Sequence, residues 1–283
     1  MATTMRGAAG LVVVLACVCG AAQADTTLYA YDTGDDKLGL VDTAGPTLLW
    51  AGPDHAPSFI AEIEYGGGVI YGSDTFNVGK LHLMSPATGA IYDTLTMTLP
   101  AQGDAITALE FIGGVLYGGL TTAMEGNAET YLSTVNLTTG QVTVIGATGV
   151  GTPLGGLAYD GSTLYGISAG GSVAELFTID LGTGGANSVG LVTLEGETFG
   201  ATALEFGQDG VLYALPNTRS PLVGHLLSVD PQTALATDLG AIDPGSYEFN
   251  YPVALTSIPE PSTVALVIIG AAGLMGRRRR KSR

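Results

Sequence analysis

Between residues 25 and 257 the chain has no cysteine and only three basic residues, Lys37, Lys80 and Arg219, against 25 acids. The lack of thiols excludes a disulfide-stapled scaffold, a thiol nucleophile and a Cys-ligated metal centre, so an apolar core must hold this segment together. The scarcity of cations leaves a net charge of −22 over the segment, 25 acids less three bases. Such a surface repels phosphate backbones and disfavours nucleic acid, while it attracts divalent cations. Histidine is also rare. His55, His82 and His225 contain no pair three or four residues apart, so spacing spells no His-based metal cluster. Tryptophan occurs once, at Trp50, and long apolar runs occur only at the two ends.

What is abundant is glycine, 43 residues in 283, and it falls in a repeat. Leu109–Gly118 reads as an apolar strand, a Gly-Gly turn and a second strand ending in Leu-Tyr-Gly. Ile63–Gly72, Leu157–Gly166 and Leu204–Ala214 are further copies. The tyrosines of the Leu-Tyr pairs and their variants, Tyr29, Tyr71, Tyr117, Tyr165 and Tyr213, recur at intervals of 42, 46, 48 and 48 residues. After each comes a third strand ending in Asp, Asn or Ser: Lys37–Asp42, Lys80–Ser85, Tyr131–Asn136, Glu175–Asp180 and His225–Asp230. Gly89, Gly140, Gly184 and, less comfortably, Ala234 follow where the turn needs a left-handed residue. Fourth strands are expected at 143–146, 188–190 and 237–240. The period and strand count predict an all-β, five-bladed β-propeller over residues 25–257. Its first blade lacks an opening strand, and 253–256 is expected to pair with 28–32 and close the ring. A sandwich pair or a β-solenoid is the competing architecture.

The ends carry addresses. Residues 1–24 read as a secretory signal peptide: Arg6, an apolar run from Ala8 to Ala22, and a small-x-small cleavage site at Ala22 and Ala24. Cys17 and Cys19 lie inside it; a lipoprotein signal ending at Cys17 is the rival, with Leu15 an awkward residue two positions before. Residues 258–283 combine Pro259-Glu260-Pro261, the apolar run Thr263–Gly276 and the basic stop Arg277, Arg278, Arg279 and Arg280. Fourteen helical residues would span about 21 Å against a hydrocarbon core of about 30 Å, a short transmembrane sorting helix and a poor permanent anchor. This tail resembles the sorting signal of the PEP-CTERM proteins of Gram-negative bacteria, with Ile258 where valine is commoner. The resemblance implies export, an inner-membrane-anchored precursor, recognition by an exosortase, and release to the cell surface or an exopolysaccharide matrix. The repeats resemble, more loosely, secreted propellers of the NHL and quinoprotein types, best at Tyr131–Gly140 and Phe177–Gly184; the lone Trp50 argues against a quinone.

Glu64, Glu110 and Glu205 occupy one repeat position in three blades, with Ala158 and Thr256 in the other two. They read either as a carboxylate ring that collects Ca²⁺, a hard cation taking oxygen ligands, or as solvated strand ends beside their turns. Glu62 adds a nearby acid. Asp32 and Asp74, each three residues after its tyrosine, read as a second candidate cation pair on one rim, with Asp35, Asp36 and Asn77 around them, or as turn-formers. Gly166-Ile167-Ser168-Ala169-Gly170 matches a nucleophile elbow by letter, but a strand follows in place of the helix that motif needs. No cofactor other than a candidate Ca²⁺ is expected. The chain therefore reads as a non-catalytic exported propeller that binds extracellular polysaccharide or an envelope component. The alternatives are a cation-dependent secreted enzyme, lactonase-like hydrolase or sugar lyase, and a structural matrix protein bridged by calcium.

Overall fold

The computed structural model describes residues 27–258, apart from 34–35, 46, 52, 54, 56–57, 124–127, 170, 218–221 and 243–251. The cleavage site Ala22 and Ala24, Asp35, the sorting motif Pro259, Glu260 and Pro261, and Arg277–Arg280 lie outside the described residues. Every element within them is a strand.

Five antiparallel four-stranded sheets form the blades. From the inside outward, blade 1 is Pro252–Ser257, Thr27–Asp32, Lys37–Asp42 and Thr47–Ala51; blade 2 is Ile60–Gly66, Val69–Asp74, Lys80–Met84 and Ile91–Thr96. Blade 3 is Ala105–Ile112, Val115–Thr121, Thr130–Val135 and Val142–Ala147, and blade 4 is Leu154–Tyr159, Leu164–Ser168, Glu175–Ile179 and Ala186–Leu191. Blade 5 is Ala201–Phe206, Leu212–Pro216, His225–Val229 and Ala236–Ala241. A two-stranded hairpin, Thr193–Leu194 with Glu197–Thr198, sits between blades 4 and 5. The inner strands touch one another in sequence all the way round, blade 5 against blade 1 included. The closing strand lies where the repeat placed it, with Leu28 opposite Ser257, Tyr29 opposite Thr256 and Tyr31 opposite Ala254. The free edges of the inner strands face the channel, where they are short and shielded from edge-to-edge pairing. The sandwich and solenoid architectures are thereby excluded.

The core follows from this arrangement. Five separate apolar clusters fill the five wedges between adjacent blades. Tyr31, Leu38, Val253 and Ala254 of blade 1 meet Ile60, Ile63, Ile70 and Met84 of blade 2. Leu28, Val41 and Leu255 meet Tyr213, Leu215 and Leu226 of blade 5 across the closure. Each blade is buried on both faces, so its strands do not show the apolar-polar alternation of a half-exposed sheet.

Turn chemistry matches residue identity. Gly67 and Gly68 lie at φ of 61° and 90°, and Gly113 and Gly114 at 58° and 89°, the left-handed pair that a two-residue hairpin turn requires. Between third and fourth strands, Asn136 Oδ1 accepts the N–H of Thr138 and Thr139 at 2.9 and 3.0 Å, and Asp180 Oδ1 accepts those of Gly182 and Thr183 at 3.1 and 2.7 Å. Gly140, at φ 74°, has a second reason to be glycine. The strap leaving blade 2 runs against it, Thr98 N–H donating to Gly140 O at 2.8 Å, and a Cβ on Gly140 would lie 2.1 Å from Thr96 O. The same strap recurs at Ala186 N–H to Thr148 O, 3.0 Å, and Thr193 N–H to Ala234 O, 3.2 Å.

Gly67 and Gly140 therefore separate two effects. Gly67→Ala meets no atom within 4 Å and is expected to lose only the left-handed penalty, about 1–2 kcal/mol. Gly140→Ala adds a backbone clash and should lose clearly more in equilibrium urea unfolding. Equal losses would mean that the strap between blades 2 and 3 is not tight.

Candidate functional site

The inner strands share one register. Glu64 pairs with Tyr71, Glu110 with Tyr117, Ala158 with Tyr165, Glu205 with Tyr213 and Thr256 with Tyr29. Equivalent positions thus lie at one level around the channel. At that level each polar side chain reaches sideways to the next blade and accepts the amide one residue past the equivalent position. Phe111 N–H donates to Glu64 Oε1 at 3.1 Å, Tyr159 N–H to the Glu110 carboxylate, Ser257 N–H to Glu205 Oε1 at 3.2 Å, and Tyr65 N–H to Thr256 Oγ1 at 2.9 Å. Thr256 Oγ1 in turn donates to Glu64 Oε2 at 3.2 Å. Four of five blade junctions carry the bond. The fifth, from blade 4 to Phe206, cannot, because Ala158 has no acceptor to offer.

The glutamates are not solvated strand ends. Glu64, Glu110 and Glu205 are only 5%, 8% and 7% exposed, and one carboxylate oxygen from each lies within 4.8 Å of the others. Among the described residues no other trio of His, Cys, Asp or Glu does this. The strand-end reading fails because the blades crowd their inner strands against one another and cover the side chains at this level. Among the described residues no lysine or arginine pairs with them, the ion pairs being His82–Asp74 and His225–Asp238. Burial pushes the Glu64 carboxyl up to about 8, despite the hydrogen bonds from Thr256 and Phe111 that favour its charged form. Burial first, and then mutual repulsion, push Glu110 and Glu205 well above the usual carboxylate range.

Beside the glutamates the channel opens into a pocket of about 480 Å³. Its walls include the residues one step past the glutamate level: Tyr65, Phe111, Tyr159 and Phe206, with Ser257 in the fifth blade. These four half-buried aromatics were not singled out by sequence. The signal was present, an aromatic residue following the glutamate position in four blades of five, but it becomes meaningful only once that position is known to lie at a channel mouth. Gln208 and the exposed Asp160 complete the polar lining.

Asp32 and Asp74 do lie at equivalent places, the ends of second strands in adjacent blades, opposite Pro252 and Ile60 at the starts of the inner strands. That is the rim away from the glutamates. Both are buried, and their charges act together with that of Asp36 on the Tyr31 hydroxyl. Asp74 is taken up by its turn. It accepts the N–H of Phe76 and Asn77 at 2.9 and 2.7 Å, Asn77 Nδ2 at 2.9 Å and a contact from His82 Nε2 at 3.1 Å, bonds that hold its carboxyl below the usual range in spite of burial. Ser168 occupies the matching place in blade 4, where its Oγ accepts the N–H of Glu175 at 2.8 Å on a strand, not at a helix start.

The raised carboxyls set a pH dependence. The folded state holds their protons more tightly than the unfolded chain, so their contribution is fully present below the unfolded value near 4.5 and is lost as pH rises through the folded values, about 8 for Glu64. The depressed aspartates, Asp74 and Asp160 among them, act only below 3.8 and leave this window clear. In chelator, Tm is expected to fall steadily from pH 4.5 to 8. Burial raises Glu62 as well, so the fall should flatten in the variant that combines Glu62→Gln, Glu64→Gln, Glu110→Gln and Glu205→Gln; a wild-type Tm independent of pH over that range would contradict the burial of these groups.

The closing strand ends at this site. Ser257 is the last residue of the closing strand, the donor to Glu205, part of the pocket wall, and also the first residue of a match to the PEP-CTERM protein-sorting motif over residues 257–280. None of the curated proteins compared with the chain matches it. Among solved structures, a chain of the nidogen/laminin complex is similar in fold, with a TM-score of 0.51 and 13% identity over 82% of this chain and 81% of that one. A protein of unknown function from Bacteroides caccae matches at TM-score 0.45, with 13% identity over 80% and 77% of the two chains. Myxococcus xanthus glutaminyl cyclase matches at 0.44, with 16% identity over 75% of each. At these identities the likeness is one of fold alone. The chain therefore carries, directly after a five-bladed β-propeller, the PEP-CTERM sorting motif that marks an exported, membrane-anchored precursor and implies exosortase processing.

Proposed function

We propose that this exported propeller is a binding protein that takes a segment of extracellular polysaccharide in the pocket at the glutamate end of its channel. One observation carries the reading: a single pocket of about 480 Å³ combines four half-buried aromatic side chains with buried carboxylates, a glutamine and a serine. Aromatic faces stack against the C–H faces of sugar rings, and carboxylate and amide groups accept and donate to ring hydroxyls, so apolar body and polar tip are served together. The volume suits one or two sugar units, with the rest of the polymer outside. The sorting motif supports the same reading, because it directs the precursor out of the cytoplasm to where such polymers lie.

The enzymatic alternative rests on the same carboxyls, since an acid with a raised pKa is able to donate a proton near neutral pH. Calorimetry of the full chain with the producing organism's exopolysaccharide distinguishes the two. Saturable heat without new reducing ends or new unsaturated-sugar absorbance is the expected result, and Tyr65→Ala and Tyr159→Ala should each weaken affinity roughly 2- to 13-fold, equivalent to about 0.5–1.5 kcal/mol per aromatic contact. Product formation would assign a hydrolase or lyase instead, and no heat with any polysaccharide fraction would remove the binding reading.

A further inference from the structure

We propose that Glu64, Glu110 and Glu205, with Glu62 beside them, hold one calcium ion at the mouth of the central channel. The site is argued from geometry and stands whether or not the pocket takes a glycan.

Three carboxylates from three different blades converge, one oxygen from each lying within 4.8 Å of the other two. Ligands 2.3–2.6 Å from a single Ca²⁺ are separated by at most about 4.6–5.2 Å, so the trio is already spaced to share one ion. Each carboxylate is oriented by the next blade: Phe111, Tyr159 and Ser257 amides fix Glu64, Glu110 and Glu205. The ligand set would therefore be largely preformed.

Glu62 supplies the independent observation. It lies two residues before Glu64 on the same inner strand, hence on the same face of that strand. It is 1% exposed; its Oε1 accepts the N–H of Ile63 at 3.1 Å, while its Oε2 is buried with no hydrogen-bond partner. It lies within electrostatic reach of Glu64, Glu110 and Glu205. A buried carboxylate oxygen without a donor, within electrostatic reach of three more carboxylates, is among the costliest arrangements a fold can keep unless a cation offsets it.

The chemistry of the donors selects the ion. All are carboxylate oxygens, none of the three histidines is among the converging ligands, and the segment between residues 25 and 257 has no cysteine, which removes the ligands that favour zinc or copper. Three converging carboxylates offer up to six oxygens from the protein itself, a set that suits calcium, whereas magnesium keeps several of its waters. The ion would bind blades 2, 3 and 5 to one centre and offer its open side to the pocket.

The test is thermal unfolding and calorimetry of the full chain in chelator, in CaCl2 and in MgCl2 at matched ionic strength. The expected result is one ion per chain, and at a hundredfold excess over Kd a Tm raised by about 5–10 °C in Ca²⁺. Glu110→Gln and Glu62→Gln should each abolish the shift while retaining an amide oxygen of nearly the same shape, so each variant still folds. Asp93→Asn, exposed on an outer strand, should retain it. Three results would overturn the proposal: a Tm indifferent to Ca²⁺, which would mean that the four carboxyls hold protons in place of an ion; a shift that persists in both glutamine variants; or an equal shift in Mg²⁺.

Discussion

The structure depends on a bond that crosses between blades: a side chain at one level of four of the five inner strands accepts the backbone amide one step further along its neighbour. An inner strand of a closed ring has no partner on its channel side, so its channel-facing amides need acceptors or water. Glu64, Glu110, Glu205 and Thr256 provide them. Because the bond crosses four of the five junctions, it fixes the vertical register of the blades it joins as well as satisfying the amide. The wedge clusters cannot do this, since apolar contacts tolerate sliding. An outer set of straps, from the segment leaving one blade to the third turn of the next, fixes the same register at larger radius.

The candidate site is a by-product of that solution. Acceptors long enough to reach the next blade bring three carboxylates together, and the packing that closes the ring leaves them only 5–8% exposed. Burial, with mutual repulsion added at Glu110 and Glu205, then raises their pKa values and makes the mouth a place where a proton or a cation is retained. The closing strand joins fold to address: Thr256 completes the ring of acceptors, and Ser257 both donates to Glu205 and begins the sorting motif.

Much of this was legible in the sequence, and the reasons differ by feature. The tyrosine ruler and the Gly-rich turns are written in residues that few alternatives can replace, so blade number, the closing strand and the left-handed Gly89, Gly140, Gly184 and Ala234 could be read directly. The equivalence of Glu64, Glu110, Glu205, Ala158 and Thr256 followed from the same ruler. Their burial did not, because it arises from three strands meeting at an axis, and no local pattern encodes it. The fourth strands of blades 1 and 2, Thr47–Ala51 and Ile91–Thr96, were missed for the opposite reason: with Leu49 and Tyr92 exposed at the outer edge, packing imposes little periodicity there. Asp32 and Asp74 were placed correctly on one rim. The choice between turn-former and ligand needed Asn77 and His82 in view, since both meet the Asp74 carboxylate only in the folded blade.

Native-state hydrogen exchange at five backbone amides tests the central claim most directly. Tyr65, Phe111, Tyr159 and Ser257 have an acceptor from the preceding blade, whereas Phe206, at the same level, faces Ala158. The account predicts slow exchange at the first four and the fastest exchange of the set at Phe206, in a ring that otherwise treats the five alike. Equal rates at all five would show that the inter-blade acceptors do not hold the blades in register.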